Sequence, residues 1–296
     1  MSRTMSSSTK QPFGVARVTR VWQVPRSTFY AQRDRRDTPT SSRKRGPKTA
    51  WTDDALTAEI RTLIAASPFH GEGHRKIWAR LRLAGLRTSK RRVLRLLRAA
   101  DLLGPARLPA SAEPHPHDGT IIPEAPNMMW GTDATLTVTL ADGQVTVFGA
   151  IDHYTAECVG LHAAKPGTRF EALEPLRQGV REHFGGMGLD AAVGLALRHD
   201  HGSQYMSDDF QAEIRFLGID SSPAFVRQPE GNGCIERFFR TLKEQLLWVR
   251  HFQDLTELQE ALRVFKDTYN QQWLIERLGF RSPAAVRKEF ALTPAA

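Results

Sequence analysis

The stretch Leu195–Phe210, "LALRHDHGSQYMSDDF", decides the fold. Leu195, Ala196, Leu197 and Arg198 read as the end of a buried strand, the chain turns polar from His199, and a helix pattern begins near Ser207. A strand that ends in a Gly-containing turn and feeds a helix belongs to an open α/β sheet, and such sheets bind ligands outside the carboxyl ends of their strands. Asp200 stands at that place. A carboxylate there also serves as an Asx-turn residue, accepting a backbone N–H two residues on. Alone, the stretch leaves both readings open.

Upstream, "MMWGTDATLTVTLADGQVTVFGAIDHYT" alternates as a strand does, with Leu136, Val138 and Leu140 on one face and Asp133, Thr135, Thr137 and Thr139 on the other. Asp142-Gly143 is a hairpin pair leading into a strand Val145–Ile151. A third strand is expected over Cys158–His162, a helix from Arg169 to Phe184, a strand over Val193–Leu197 and a helix near Ser207–Leu217. The order βββαβα describes a mixed sheet with a hairpin meander, with no Gly-rich phosphate loop and no Ser/His/Asp pattern. Downstream, "SSPAFVRQPEGNGCIERFFRTLKEQLL" opens as a mobile loop and continues as a helix with the apolar stripe Phe238, Phe239, Leu242 and Leu246. Glu236 lies off that stripe, on a face with Arg240 and Lys243. Glu236 and Arg240 also have the spacing of an ordinary helix ion pair, contributing only a few tenths of a kcal/mol.

Taken together, Asp133, Asp200 and Glu236 point further, with thirty-five residues between the last two. Hard divalent cations need oxygen ligands, and Mg²⁺ keeps waters that substrate phosphate can replace. Two such ions, about 3.5–4 Å apart, activate a water or a 3′-hydroxyl and stabilise the leaving oxygen of an in-line displacement. The three carboxylates are therefore the candidate catalytic and metal-ligating set, with Arg240 and Lys243 flanking a DNA strand. Asp152 is the rival ligand and reads better as a turn residue.

Charge divides the chain. Of 296 residues with net charge +9, positions 1–110 hold 24 Lys and Arg against 7 Asp and Glu, a net of +17. The remainder holds 17 against 25, a net of −8. The basic front is built for a polyanion, foremost nucleic acid. No apolar run reaches membrane length, and no signal-peptide core opens the sequence. Cys158 and Cys234 supply neither a disulfide framework nor a cysteine zinc site, which fits a reducing cytoplasm.

Two linkers are legible, the basic "RRDTPTSSRKRGPKTA" and the six-proline "GPARLPASAEPHPHDGTIIPEAP". The expected division is an arm over 1–50, a helical unit over 51–104, a Pro-rich linker over 105–126, a central domain over 127–272 and a tail over 273–296. The arm reads as two short helices broken at Gln23-Val24-Pro25, with the outline of a helix-turn-helix. In the helical unit, Thr52 caps a helix that carries Asp53, Asp54 and the stripe Leu56, Ile60, Leu63 and Ile64. A second helix runs from Gly73 to Ala84, burying Ile77, Trp78 and Leu81. Thr88 or Ser89 caps a third, "KRRVLRLLRAADLL". Arg91, Arg95 and Arg98 share one face of it, opposite Val93, Leu96 and Leu97, and a row of guanidinium groups suits phosphate and guanine edges. His70 and His74 have metal-pair spacing, but no second pair follows, so they read as surface or turn residues.

From about Phe13 the chain resembles the second-frame product of bacterial insertion-sequence transposases, the DDE group similar to retroviral integrases. The resemblance is carried by "HGEGHRKIWARLRLAGLRTSKRRVLRLLRAADLL", "WGTDAT", "HDHGSQYMS", "GNGCIERFFRTLKEQ" and "YNQQWLIERLGFRSPAAV". It implies an α/β, ribonuclease-H-like core behind a helical helix-turn-helix DNA-binding unit. It also implies Mg²⁺ or Mn²⁺ as cofactor, and DNA cleavage followed by strand transfer, with Asp133, Asp200 and Glu236 matching the catalytic triad. Element ends and target DNA would be partners, with a homo-oligomer assembled on DNA and an upstream-frame helix-turn-helix product or fusion. The expected location is the bacterial cytoplasm, at the nucleoid. Departures occur at Gly231-Asn232-Gly233, where a common form has Asp-Asn-Ala, and at Trp273-Leu274-Ile275, where a common tail has Arg-Pro-His. Rival readings are a catalytically inactive DNA-binding regulator and another ribonuclease-H-like nuclease. A covalent Tyr or Ser recombinase is disfavoured, because no nucleophile has an activating constellation.

Overall fold

The structure is a computed structural model and describes residues 3–37, 50–104, 123–223 and 232–292. Most of both linkers and of the expected mobile loop lies outside the described residues. The chain divides into two compact units, Met1–Ala50 and Trp51–Ala296.

In the first unit, α1 (Val15–Val21) and α2 (Arg26–Asp37) are separated at the expected break. Gln23 takes the left-handed region, with φ 53°, and Pro25 has no N–H with which to extend the preceding helix.

The second unit begins with three helices, α3 (Asp53–Ala66), α4 (His74–Leu83) and α5 (Lys90–Ala99). Thr52 accepts the Ala55 N–H and Ser89 the Arg92 N–H, each at 3.2 Å, satisfying donors that a helix start leaves open. The apolar stripes meet in a small core of Leu56, Ile60, Ile77, Leu81, Val93, Leu96 and Leu97, while Trp78 is only half-buried. The third helix stops short of its apolar tail, because Asp101 turns left-handed with φ 53°.

The rest is built on five strands, β1 (Met129–Thr139), β2 (Gly143–Asp152), β3 (Cys158–Ala164), β4 (Ala196–His199) and β5 (Asp220–Pro223), in the order β3-β2-β1-β4-β5. The first three form an antiparallel meander, and β4 and β5 continue it in parallel. On one face, α6 (Arg169–His183) and α7 (Asp208–Phe216) cover Trp130, Phe148, Ala150, Val159 and Leu197. The α6 backbone passes so near Gly160 that a Cβ there would overlap the Pro175 carbonyl. On the other face, α8 (Gly233–Leu242), a π-turn (Lys243–Leu247) and α9 (Leu255–Gln272) cover Val145, Val147, Ile151, Leu161 and Ala163. This mixed sheet between helical layers is the ribonuclease-H-like class.

Three expectations need correction. The fourth strand starts at Ala196, not Val193: Val193 is exposed and Gly194, with φ 90°, ends the preceding turn. A fifth strand occupies Asp220–Pro223, a stretch that carries no apolar alternation and forms by backbone pairing with β4. Only the far end of the apolar face of β1 lies beyond its helical cover, leaving Leu136, Val138 and, just past the strand, Leu140 exposed.

The helical unit rests on the π-turn that follows α8 and on the tail. His70 and Gln245 exchange two hydrogen bonds, His70 N–H to Oε1 at 2.8 Å and Nε2 to the His70 carbonyl at 2.9 Å. Phe69 meets Trp273 edge-on, Trp78 meets Phe280, and Arg75 and Lys90 both face Glu276. Leu278 and Val286, the latter on α10 (Pro283–Leu292), join the core under α9. Among the described residues no helix is long and apolar enough to cross a membrane.

Candidate active site

Strand pairing brings the first two carboxylates together. β1 and β4 run parallel with Gly131 opposite Arg198. β4 ends one residue later, at His199, and Asp200 begins the turn near enough for its charge to act on the Asp133 carboxyl. Asp133 itself is opposite Gly149 of β2. Above this part of the sheet lies α8, whose Phe239 packs over Gly149 and whose Glu236 is exposed on the side facing the carboxylates.

The electrostatics report the same convergence. Burial, then the fields of Asp200 and Glu236, push the Asp133 carboxyl up to about 6. The Ala134 N–H, donated to its Oδ1 at 2.7 Å, and the Lys243 ammonium pull the other way without balancing the rise. Asp200 and Glu236 thus lie near enough to Asp133 for their negative charge to act on it.

Asp200 performs the turn function as well. Its Oδ1 accepts the Gly202 N–H at 2.8 Å, which leaves the second oxygen for another partner. Buried His199 fixes the turn: its Nδ1 donates to the Asp200 carbonyl at 2.7 Å, and its Nε2 accepts from Ser221 Oγ of β5 at 2.9 Å. Burial lowers the His199 pKa, in keeping with a neutral ring in this relay. Tyr205, packed against His199, is fully buried, and its phenol is pushed upward by burial and by Asp133.

The flanking cations differ in state. Arg240 pairs with Glu244 at 3.2 Å and not with Glu236, so the ordinary helix pair that the spacing allows does not form. Lys243 is half-buried and acts on Asp133. On the helical unit, Arg91, Arg95 and Arg98 are all exposed, as the face assignment expects. Arg95 is engaged, however, at 2.7 Å from Asp53, which Arg92 also contacts. Asp152 is a turn residue: it is buried and accepts from Asn127 N–H, Thr155 N–H and Thr155 Oγ1, each at 2.7 Å.

Sequence reasoning missed His199 and Asn232. The first depends on β5, which left no periodic signal. The second sits just before α8, where Nδ2 donates to the Thr132 carbonyl at 3.1 Å.

As a metal site, the donor set is of the right chemistry: three hard oxygen ligands, one of them held in its charged form only against burial and like charge. Among the described residues, one group offers three ligand atoms all within 4.8 Å of one another, Glu157, Glu182 and His183. There Arg287 and Lys266 already pair with the two glutamates.

Comparison with known proteins agrees with this architecture. The integrase core domain family matches residues 217–283, a span that contains Glu236 but neither aspartate. The chain is 26% identical over 278 residues to the Escherichia coli transposase InsD for insertion element IS2A/D/F/H/I/K, covering 92% of this chain and 90% of that protein. The InsD of insertion element IS2-9, from strain K12, matches at the same identity over 88% of its length. A chain of the simian T-cell lymphotropic virus intasome, solved in complex with PP2A regulatory subunit B56 gamma, superposes with TM-score 0.50 and 19% identity over 81% of this chain and 77% of that one.

Fold and relatives together define a polynucleotidyl transferase. Over 92% of its length the chain is similar to insertion-sequence transposases, and part of it matches the integrase core.

Proposed function

We propose that this transposase cleaves the ends of its insertion element and joins the freed 3′-hydroxyl to target DNA, with Asp133, Asp200 and Glu236 holding two Mg²⁺ or Mn²⁺ ions. The observation that carries this reading is the crowding of Asp200 and Glu236 on the raised carboxyl of Asp133. Bound there, the ions activate the attacking oxygen and stabilise the leaving one. The protein contributes placement: β1 and the β4 turn fix the aspartates, and α8 brings Glu236 over them. In cleavage a water oxygen displaces the 3′-oxygen of the element end. In joining, the 3′-hydroxyl of that end displaces a 3′-oxygen of the target, so phosphodiester bonds are conserved and no protein–DNA bond forms. Lys243 and Arg240 hold the strand end between the steps, while the α5 arginines and the arm also engage DNA. The division into arm, helical unit, linker, core and tail belongs to the same proposal. So do a homo-oligomer on DNA and an upstream-frame partner.

The test supplies pre-cut element-end DNA with Mg²⁺ or Mn²⁺ and follows joined product on a gel. Asp200→Ala is expected to abolish joining and nicking while keeping folding and DNA binding near wild type. Normal nicking by the folded variant would sink the triad assignment. Protein linked to DNA after denaturation, or joining with the metal chelated, would exclude the mechanism.

A further inference from the structure

Asn232 occupies a defined seat between helix and sheet. It is 6% exposed, directly precedes α8, and donates through Nδ2 to the carbonyl of Thr132, the neighbour of Asp133. Under it lies Gly131. A Cβ on Gly131 would stand 2.9 Å from Asn232 Oδ1 and 2.7 Å from His153 Nε2, closer than real Cβ atoms approach. His153 is buried too, and its backbone N–H bonds the Met129 carbonyl of β1 at 3.0 Å. Two separate stretches, "WGTD" and "IDHY", and Asn232 therefore meet in the space left by one missing side chain.

The spacing gives this meeting a consequence. Glu236 is four residues after Asn232, a helical rise of about 6 Å. Asp133 is two residues after Gly131, an advance of about 6.6 Å along a strand. The two advances match, so seating Asn232 over Gly131 carries Glu236 over Asp133. Phe239, further along α8, packs over Gly149, the β2 partner of Asp133, so α8 runs in that same direction.

We infer that Asn232 is a positioning residue, which sets Glu236 against Asp133 through its bond to the Thr132 carbonyl, and that Gly131 is the gap this arrangement requires. The inference rests on the assignment of Asp133 and Glu236 as metal ligands. Residues that orient metal ligands without touching the metal typically contribute about 10–100-fold to affinity or activity.

The experiment uses the full chain and two independent disturbances. Asn232→Leu keeps the bulk and loses the donor; Gly131→Ala pushes a methyl into the seat. Mn²⁺ affinity is read by electron paramagnetic resonance, alongside the metal-free thermal midpoint, metal-free affinity for pre-cut end DNA, and joining. Both variants are expected to bind Mn²⁺ and join about 10–100-fold more weakly, with midpoint and DNA affinity close to wild type. Wild-type Mn²⁺ affinity in Asn232→Leu overturns the inference. A loss matched by collapse of the midpoint and of DNA binding overturns it too, because Asn232 would then serve folding alone. Glu236→Gln runs in parallel: if it binds Mn²⁺ and joins like wild type, the carboxylate assignment itself has failed.

Discussion

Asp133, proposed above as a metal ligand, is also a source of instability. The folded chain binds the Asp133 proton more tightly than the unfolded chain, because the carboxyl rises from 3.8 to about 6. The sign of linkage follows: the metal-free fold loses stability as pH rises from about 4 through about 6. A rise of that size corresponds to at most about 3 kcal/mol, reduced by whatever solvent reaches the group. Asp133→Asn removes the charge that burial, Asp200 and Glu236 oppose. Its metal-free stability at pH 7.5, by urea unfolding in chelator, is expected to exceed wild type by up to that amount. Below pH 4 the difference should vanish, and added Mg²⁺ should stabilise wild type more than the variant. An equal gain at both pH values would assign the effect to packing instead of charge. The convergence of Asp200 and Glu236 on Asp133 was legible, because the metal chemistry proposed for the three restricts residue type and spacing. His199 and Asn232 were not, since each acts through a neighbour that only the folded sheet supplies.

At the scale of elements, helices announced themselves through caps. Thr52, Ser89 and Ser207 each accept the N–H three residues on, and a hydroxyl before an apolar stripe is a local signal. Strands were harder. The period of β1 was readable, but the sequence does not say where the helical cover ends, so exposed Leu136 and Val138 look like core. β5 is held by its neighbour's backbone and left no pattern. The arginine face of α5 was readable as a face, whereas the partner of Arg95 was not, because Asp53 comes from another helix. Arg91 and Arg98 have no ion pair among the described residues. Replacing either by Ala is therefore expected to lower the log–log salt slope of duplex binding by about 0.9 for each phosphate that the side chain neutralises. Arg95→Ala should lower it less, because Asp53 already neutralises part of that charge. Fluorescence anisotropy across a salt series reads the slope. Three equal decrements would mean that Asp53 releases Arg95 on DNA, and no decrement would mean a merely solvated face.

At the scale of the molecule, the question is what holds the helical unit to the core. Two contributions compete. Arg75 and Lys90 face Glu276 at 2.9 and 3.9 Å, but the side chains are 42–59% exposed, and exposed ion pairs are worth about 0–1 kcal/mol. The aromatic seam is drier. Trp273 sits edge-on to Phe69 at 4.8 Å, stacks near Tyr269 and lies under the Lys76 ammonium, while Trp78 meets Phe280 at 5.7 Å. Aromatic pairs add about 0.5–1.5 kcal/mol each beyond the area they bury, so the seam should dominate. It also gives a physical role to Trp273. Trp273→Ala is expected to split thermal unfolding into two transitions, the helical unit releasing before the core. Glu276→Lys should keep one transition, shifted by no more than about 1 kcal/mol, and 1 M salt should remove most of that shift. Calorimetry of the full chain separates the cases. A single, unmoved transition in Trp273→Ala would show that the His70–Gln245 hydrogen bonds and the ion pairs hold the unit without the seam.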